Sequence, residues 1–161
     1  SFEFQAERKD LQKLERRFGF DVLHCTAQLS RKQDYIELQG QYQVQVEANC
    51  DLCLKPVKLD FDESFEIGLV STENEDQPEG DLELSLDSPE IDYYEGEEIN
   101  LITYFEDQLI LDIPLVISCS EKCKGLCSVC GVNQNDTDCT CNESSGNSPF
   151  AVLKDLKLND T

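Results

Sequence analysis

The chain has 161 residues and a formal charge of −21, from 34 Asp and Glu against 13 Lys and Arg, a balance that disfavours a general grip on nucleic-acid phosphates. Mean hydropathy is −0.44, no run approaches the roughly 20 apolar residues of a membrane span, and no charged-then-apolar leader opens the sequence. The expectation is a soluble, cytoplasmic protein without room for a separate catalytic domain, since one domain takes roughly 100–200 residues.

The charge is uneven. Residues 59–121 carry 20 acidic side chains and no Lys or Arg, whereas residues 1–58 hold nine of each sign. Such a block is either a solvated segment kept soluble by charge or a surface that attracts basic proteins through its summed field.

Residues 5–18 read as a helix, with Leu11, Leu14 and Phe18 on one face and Gly19 placed to end it. Lys9, Lys13 and Arg16 form the opposite stripe, interleaved with Glu7, Asp10 and Glu15, so a solvated face is expected before an RNA contact. From Leu23 to Leu29 the apolar residues alternate with His24, Thr26 and Gln28, the period of a half-buried strand, which turns Cys25 inward.

A second alternation runs from Ile36 through Leu38, Tyr42, Val44 and Val46 to Ala48, against a wet row of Glu37, Gln39, Gln41, Gln43, Gln45 and Glu47. A third runs from Val57 to Leu69, and Cys50–Pro56 between them is short enough for a hairpin end. Residues 71–98 have neither period and are rich in Glu, Asp, Ser, Pro and Gly, as expected for a flexible acidic insert.

Asn100 is a good N-cap for a helix carrying Ile102, Phe105 and Leu109 on one face, with Pro114 beyond its end. Ser148 followed by Pro149 opens a short helix with Phe150, Leu153 and Leu156. The expected architecture is α+β. An antiparallel β-meander packed by helices forms a body at 1–118 with the acidic insert at 71–98, and a Cys-rich zinc-binding lobe with a short C-terminal helix occupies 119–161.

Nine cysteines are present, and the strand pattern assigns Cys25 to the core. The other eight, Cys50, Cys53, Cys119, Cys123, Cys127, Cys130, Cys139 and Cys141, make two sets of four. Four thiolates satisfy the tetrahedral preference of Zn²⁺, and a C-x2-C turn converges two sulfurs on one ion. Gly131, just after Cys130, suits the positive φ that lets such a knuckle turn.

A disulfide framework is the competing reading, but the missing leader and the odd count argue against it. A thioredoxin-like role for Cys50 and Cys53 wants a strand before the pair and a helix after it, whereas strand patterns flank it on both sides. Cys127, Cys130, Cys139 and Cys141 are close enough in sequence for one loop to close on an ion, leaving Cys50 and Cys53 to meet Cys119 and Cys123. A single C-terminal site with Cys50 and Cys53 unmetallated remains the alternative, so one or two structural zinc ions are expected.

A catalytic zinc site keeps a position open for water and often uses His. The only histidine, His24, lies on a strand as a surface or packing residue. With no GxSxG elbow, Gly-rich phosphate loop or HExxH, no catalytic residue and no small-molecule substrate are assigned.

CDLCLKPV after a Gln/Val-rich strand, the acidic insert, INLITYFEDQLILDIPLVISCSEKCKGLCSVCGVNQNDTDCTC and the closing SPFAVLKDLK together resemble the YceD family, the large ribosomal RNA subunit accumulation proteins. The likeness runs from about Val22 to Leu158. Ser128 stands where the family often has Pro, and GVNQN replaces a more common GxNLN. The resemblance implies a bacterial or plastid factor for accumulation or processing of large-subunit ribosomal RNA, and hence for ribosome assembly, with no known reaction.

The resemblance also implies a gene that in bacteria commonly neighbours that of a small basic large-subunit ribosomal protein, which fits the acidic insert as a docking surface for such a protein. Direct binding of ribosomal RNA is the second reading, through the helix stripe with Arg31, Lys32, Lys55 and Lys58. Tyr35, Tyr42, Tyr93 and Tyr94 are candidate base-stacking residues, though the strand tyrosines more simply pack a sheet face. A thiol redox protein using Cys50 or Cys53 is the third reading.

Overall fold

The computed structural model describes residues 1–14, 17–20, 22–33, 35–72 and 90–141. These form a five-stranded mixed sheet with one α-helix. In chain order come β1 (Phe2–Glu7), a 3₁₀ turn (Arg8–Asp10), β2 (Val22–Arg31), β3 (Ile36–Asn49), β4 (Pro56–Ser71), β5 (Glu90–Tyr94) and α1 (Leu101–Asp112). The strands lie in sequence order, and every neighbour pair is antiparallel except β4 with β5, which is parallel.

The expected meander therefore accounts for β2, β3 and β4, which follow the three alternating runs, and misses both edges of the sheet. The helix expected at 5–18 is not formed. Phe2, Phe4 and Ala6 instead pair with Ala27, Cys25 and Leu23 of β2. Leu11, Leu14 and Phe18 are buried, as their spacing suggested, but from irregular chain. What replaces the helix is side-chain capping from afar: Glu106 Oε1 accepts from the backbone N–H groups of Lys13 (2.5 Å) and Leu14 (2.7 Å).

Within the expected acidic insert, Glu90–Tyr94 forms β5, pairing Ile91 with Gly68 and Tyr93 with Val70. Residues 73–89, Arg16 and the helix expected from Ser148 lie outside the described residues.

Residue alternation gives each long strand a dry and a wet side. Leu38, Tyr42, Val44, Val46 and Ala48 are buried, while Gln39, Gln41, Gln43, Gln45 and Glu47 are exposed. Cys25 is buried with the apolar set, and burial pushes its thiol up to about 12. The helix α1 covers the dry side. Asn100 Oδ1 caps it by accepting from Ile102 N–H (3.2 Å), and Pro114 follows its last turn.

Phe105, fully buried, is the hub of the core. Its ring meets Phe4, Tyr42 and Phe65 edge-on at centroid distances of 5.3, 6.4 and 5.0 Å, tying β1, β3 and β4 to α1. Gly40, opposite Phe65, leaves the gap that this ring fills. Tyr42 is buried and donates its hydroxyl to Asp112, so it packs the core and offers no face to a nucleobase.

The β3–β4 hairpin pairs from Ile36–Leu69 to Asn49–Pro56, a ribbon of about 45 Å at the usual rise per residue. It carries Cys50 and Cys53 at its tip. Gly19 pairs with Glu47 near that tip through backbone bonds of 2.8 and 2.6 Å.

Candidate metal centres

The tip of the hairpin is a tight turn. Cys50 N–H donates to Lys55 O (2.8 Å), Leu54 N–H donates to Cys50 O (2.9 Å), and Leu54 takes a left-handed φ of 61°. The same pattern recurs downstream, where Cys127 N–H donates to Val132 O (2.8 Å) and Gly131 N–H donates to Cys127 O (2.9 Å), with Gly131 at φ 72°. Each turn sets two sulfurs on one side of the loop.

Around these turns the sulfurs gather in two quartets. Cys50, Cys53, Cys119 and Cys123 form one and Cys127, Cys130, Cys139 and Cys141 the other, with all sulfurs of a quartet within 4.8 Å of one another. These are the two groups that the spacing assembles. Cys50 and Cys53 are buried, so the first quartet is set into the protein, whereas the second has only Cys127 buried.

Segment 117–126 is stitched onto the hairpin tip to complete the first quartet. Asp51 N–H donates to Ile117 O (2.8 Å), Ile117 N–H donates to Asp51 Oδ2 (2.7 Å), and Leu126 N–H donates to Leu52 O (3.0 Å). Gly125 is required here twice over. It has φ 73°, and a Cβ would lie 3.2 Å from Leu52 O.

None of the nine cysteines is disulfide-bonded. The sulfur separations include 3.9 Å for Cys50–Cys123, 3.5 Å for Cys53–Cys119, and 3.4 Å for both Cys130–Cys139 and Cys127–Cys139. A bonded pair needs about 2.05 Å, whereas a tetrahedron of sulfurs at about 2.3 Å from a central Zn²⁺ has edges of about 3.8 Å. The donor sets fit a tetrahedral thiophilic ion.

The electrostatics point the same way. Cys50 is buried, which opposes ionisation, yet backbone N–H groups of Cys119, Cys53 and Leu52 bring its thiol down to about 6. Backbone N–H groups of Cys130 and Val129 bring Cys127 to about 6 as well. By contrast, proton sharing with Cys53 and Cys123 pushes Cys119 up to about 12, and sharing with Cys139 and Cys130 pushes Cys141 up to about 12. Within each quartet one thiol ionises readily because backbone N–H groups point at it, and another holds its proton because neighbouring sulfurs share it. Four sulfur donors leave no open position for water, the arrangement of a structural metal rather than a catalytic one.

The outward side of the sheet has a different chemistry. Gln45 Nε2 donates to Asp60 (2.6 Å), Gln43 and Gln41 to Asp62 (3.1 and 3.3 Å), and Gln39 to Glu66 (3.4 Å), a continuous amide and carboxylate ladder. His24 lies on this side, exposed, within 3.2 Å of Gln5 Nε2 and apart from both quartets.

The residues proposed for an RNA-facing patch are scattered and mostly engaged. Lys9 pairs with Glu7 (2.7 Å), Lys13 with Asp107 (2.6 Å), Lys32 with Glu37 (3.0 Å), Lys55 with Asp136 (2.6 Å) and Lys58 with Glu47 (3.1 Å).

The sequence profile described as "Large ribosomal RNA subunit accumulation protein YceD" matches residues 38–157. The chain belongs to the YceD family. A Haemophilus influenzae relative named large ribosomal RNA subunit accumulation protein YceD is 33% identical over 132 residues, covering 78% of this chain and 67% of its own. Chloroplastic YCED homolog 1 of Zea mays is 25% identical over 135 residues, 70% of this chain and 46% of that protein. Its Arabidopsis thaliana counterpart is 30% identical over 63 residues, 39% and 20% respectively.

The chain thus spans less than half the length of these two plant relatives. No solved structure matches, and no helix among the described residues is long and apolar enough to cross a membrane. The YceD match begins inside β3 and includes every cysteine of both quartets, while β1, β2 and Cys25 precede it.

Two contributors around the quartets are invisible to cysteine counting. Asp51 clamps segment 117–126, and Asn135 donates its Nδ2 to Cys123 Sγ (3.3 Å) while its Oδ1 accepts from Lys124 N–H (2.9 Å). Only the density of Asn and Asp between Cys130 and Cys139 hinted at a structured turn there.

Proposed function

We propose that this chain is a non-enzymatic, zinc-stapled factor that supports accumulation of large-subunit ribosomal RNA, acting in the cytoplasm through an acidic surface on a basic ribosomal protein. In this reading all eight quartet cysteines are ligands of two structural Zn²⁺ ions. They hold the Cys-rich lobe, 119–161, onto the sheet-and-helix body, 1–118.

The observation that carries the mode of action is the outward ladder, on which Asp60, Asp62 and Glu66 alternate with glutamine amides. Carboxylates and amide oxygens accept hydrogen bonds from guanidinium and ammonium groups, and repel phosphate. The ion pairing of Lys9, Lys13, Lys32, Lys55 and Lys58 weakens the case for RNA as the first contact. Closed sulfur sets, which leave no open ligand position, support a structural role for the metal centres.

The test is affinity capture from native lysate at low and high salt, with metal measured on the same sample. Recovery of a basic large-subunit protein at low salt and its loss at high salt, with two zinc ions per chain, is the expected result. Recovery of ribosomal RNA without ribosomal protein overturns the ranking of partners.

A further inference from the structure

We propose that the two thiolate centres are coupled through the turn at residues 133–136, so that metal at the second centre strengthens metal at the first, with Asn135 as the positioning residue. The inference rests on the metal reading above and concerns how this chain's own residues present the sites.

The turn lies between Cys130 and Cys139, two members of the second quartet. A metal joining those sulfurs fixes both ends of the loop that carries it. On its far side the turn reaches the rim of the first quartet. Asn135 Nδ2 donates to Cys123 Sγ (3.3 Å), and Asn135 Oδ1 accepts from Lys124 N–H (2.9 Å). Gln134 N–H donates to Gly125 O (3.0 Å), and Asp136 pairs with Lys55, two residues beyond Cys53 (2.6 Å).

The turn is itself braced. Asn133 Oδ1 accepts from Asn135 N–H (3.0 Å) and Nδ2 (2.9 Å), and Asn133 O accepts from the N–H groups of Asp136 and Thr137 (both 3.1 Å).

Four thiolates around a divalent cation leave an excess of negative charge on sulfur. An amide N–H aimed at one of them disperses that charge and fixes the ligand's direction, and loss of such outer contacts typically costs 10–100-fold in metal affinity. Tying the second centre therefore holds Asn135 against Cys123 in advance. Linkage makes the effect mutual, so each centre raises the affinity of the other by the same factor.

The test is cadmium NMR of the cadmium-loaded full chain under titration with a competing chelator, each centre followed by its own resonance. Wild type is compared with Asn135→Ala, with the pair Cys139→Ser and Cys141→Ser, and with all three changes together. The expected result is that Asn135→Ala keeps both resonances but releases first-centre cadmium at about tenfold lower chelator concentration. The cysteine pair weakens the first centre similarly, and adding Asn135→Ala to it weakens that centre no further.

First-centre retention unchanged in Asn135→Ala overturns the coupling while leaving two metal centres standing, and so do effects that simply add. A wild-type chain that takes up no cadmium overturns the coupling together with the metal reading.

Discussion

Leu54 holds in the first C-x2-C turn the left-handed place that Gly131 holds in the second, at φ 61° and 72°. A branched side chain in that region costs roughly 1–2 kcal/mol, and Leu54 is 63% exposed, so little packing offsets the strain. Leu54→Gly is expected to raise stability by about 0.5–1 kcal/mol after the added chain entropy of glycine. Gly131→Leu is expected to lower it by about 0.5–1 kcal/mol, the strain being partly offset by the chain entropy that glycine loses on folding. Denaturant midpoints of the two metal-loaded variants check both signs, and a loss of stability in Leu54→Gly rejects the strain argument.

Glu106 is buried at 3% exposure and serves two backbone donors with one oxygen, Oε1. Glu106→Gln keeps that oxygen and is expected to cost about 1 kcal/mol. Glu106→Ala strands the Lys13 and Leu14 N–H groups and is expected to cost about 3 kcal/mol. Chemical unfolding gives the comparison, with hydrogen exchange at those two amides locating the damage.

At the centre of the sheet, a Cβ on Gly40 would sit 2.3 Å from Phe65 ring atoms and 3.0 Å from Phe105. Gly40→Ala is therefore expected to destabilise by about 1–3 kcal/mol through overpacking. Combining it with Phe65→Leu, which removes the ring atoms in the way, is expected to cost less than the sum of the two single changes.

Removing metal should expose a pH dependence of definite sign. Cys50 and Cys127 are held at about 6, below the ordinary 9.0, so their stabilising effect is complete above 9.0 and lost as pH falls through about 6. Cys119 and Cys141, at about 12, act oppositely, stabilising below 9.0 and losing that effect as pH rises towards 12. The thiol contribution to metal-free stability thus climbs from pH 6 to 9 and declines beyond. Urea midpoints across that range read it directly. Iodoacetamide near neutral pH should label Cys127 ahead of Cys25 and of the fully buried Cys50 in the metal-free chain, and none of the eight quartet thiols rapidly once metal is restored.

Neutralising the outward ladder with Asp60→Asn, Asp62→Asn and Glu66→Gln is expected to change stability by less than about 0.5 kcal/mol per site, because all three are exposed. It should slow capture of a basic partner and flatten the salt dependence of its association rate. Unchanged kinetics would move the docking surface elsewhere.

The long strands and the helix were legible because one face of each is dry along its length, as with Leu38 to Ala48 and with Phe105 and Leu109. The grouping of the sulfurs was legible because Cys127, Cys130, Cys139 and Cys141 fall within one short loop, which leaves Cys50 and Cys53 for Cys119 and Cys123, although spacing alone left a single C-terminal site as the alternative. Residues 5–18 were misread because Leu11, Leu14 and Phe18 do bury with helical spacing, while the deciding partners, Cys25 for Phe4 and Glu106 for the Lys13 and Leu14 amides, lie far along the chain. β5 was absorbed into the acidic stretch because its five residues carry too little pattern to stand out, and its order comes from a neighbouring strand's backbone. Asn135 could not be found by composition, since its role depends on where Cys123 arrives.

The first quartet joins positions 66 and 73 residues apart, whereas the second closes over separations of 9 and 12. During synthesis the hairpin emerges with only a dithiol at its end, and its remaining two donors follow after the helix has been made. A metal held at that tip would report that synthesis has passed Cys123: a product cut short before Cys119 keeps half of the donor set and an open, oxidisable pair.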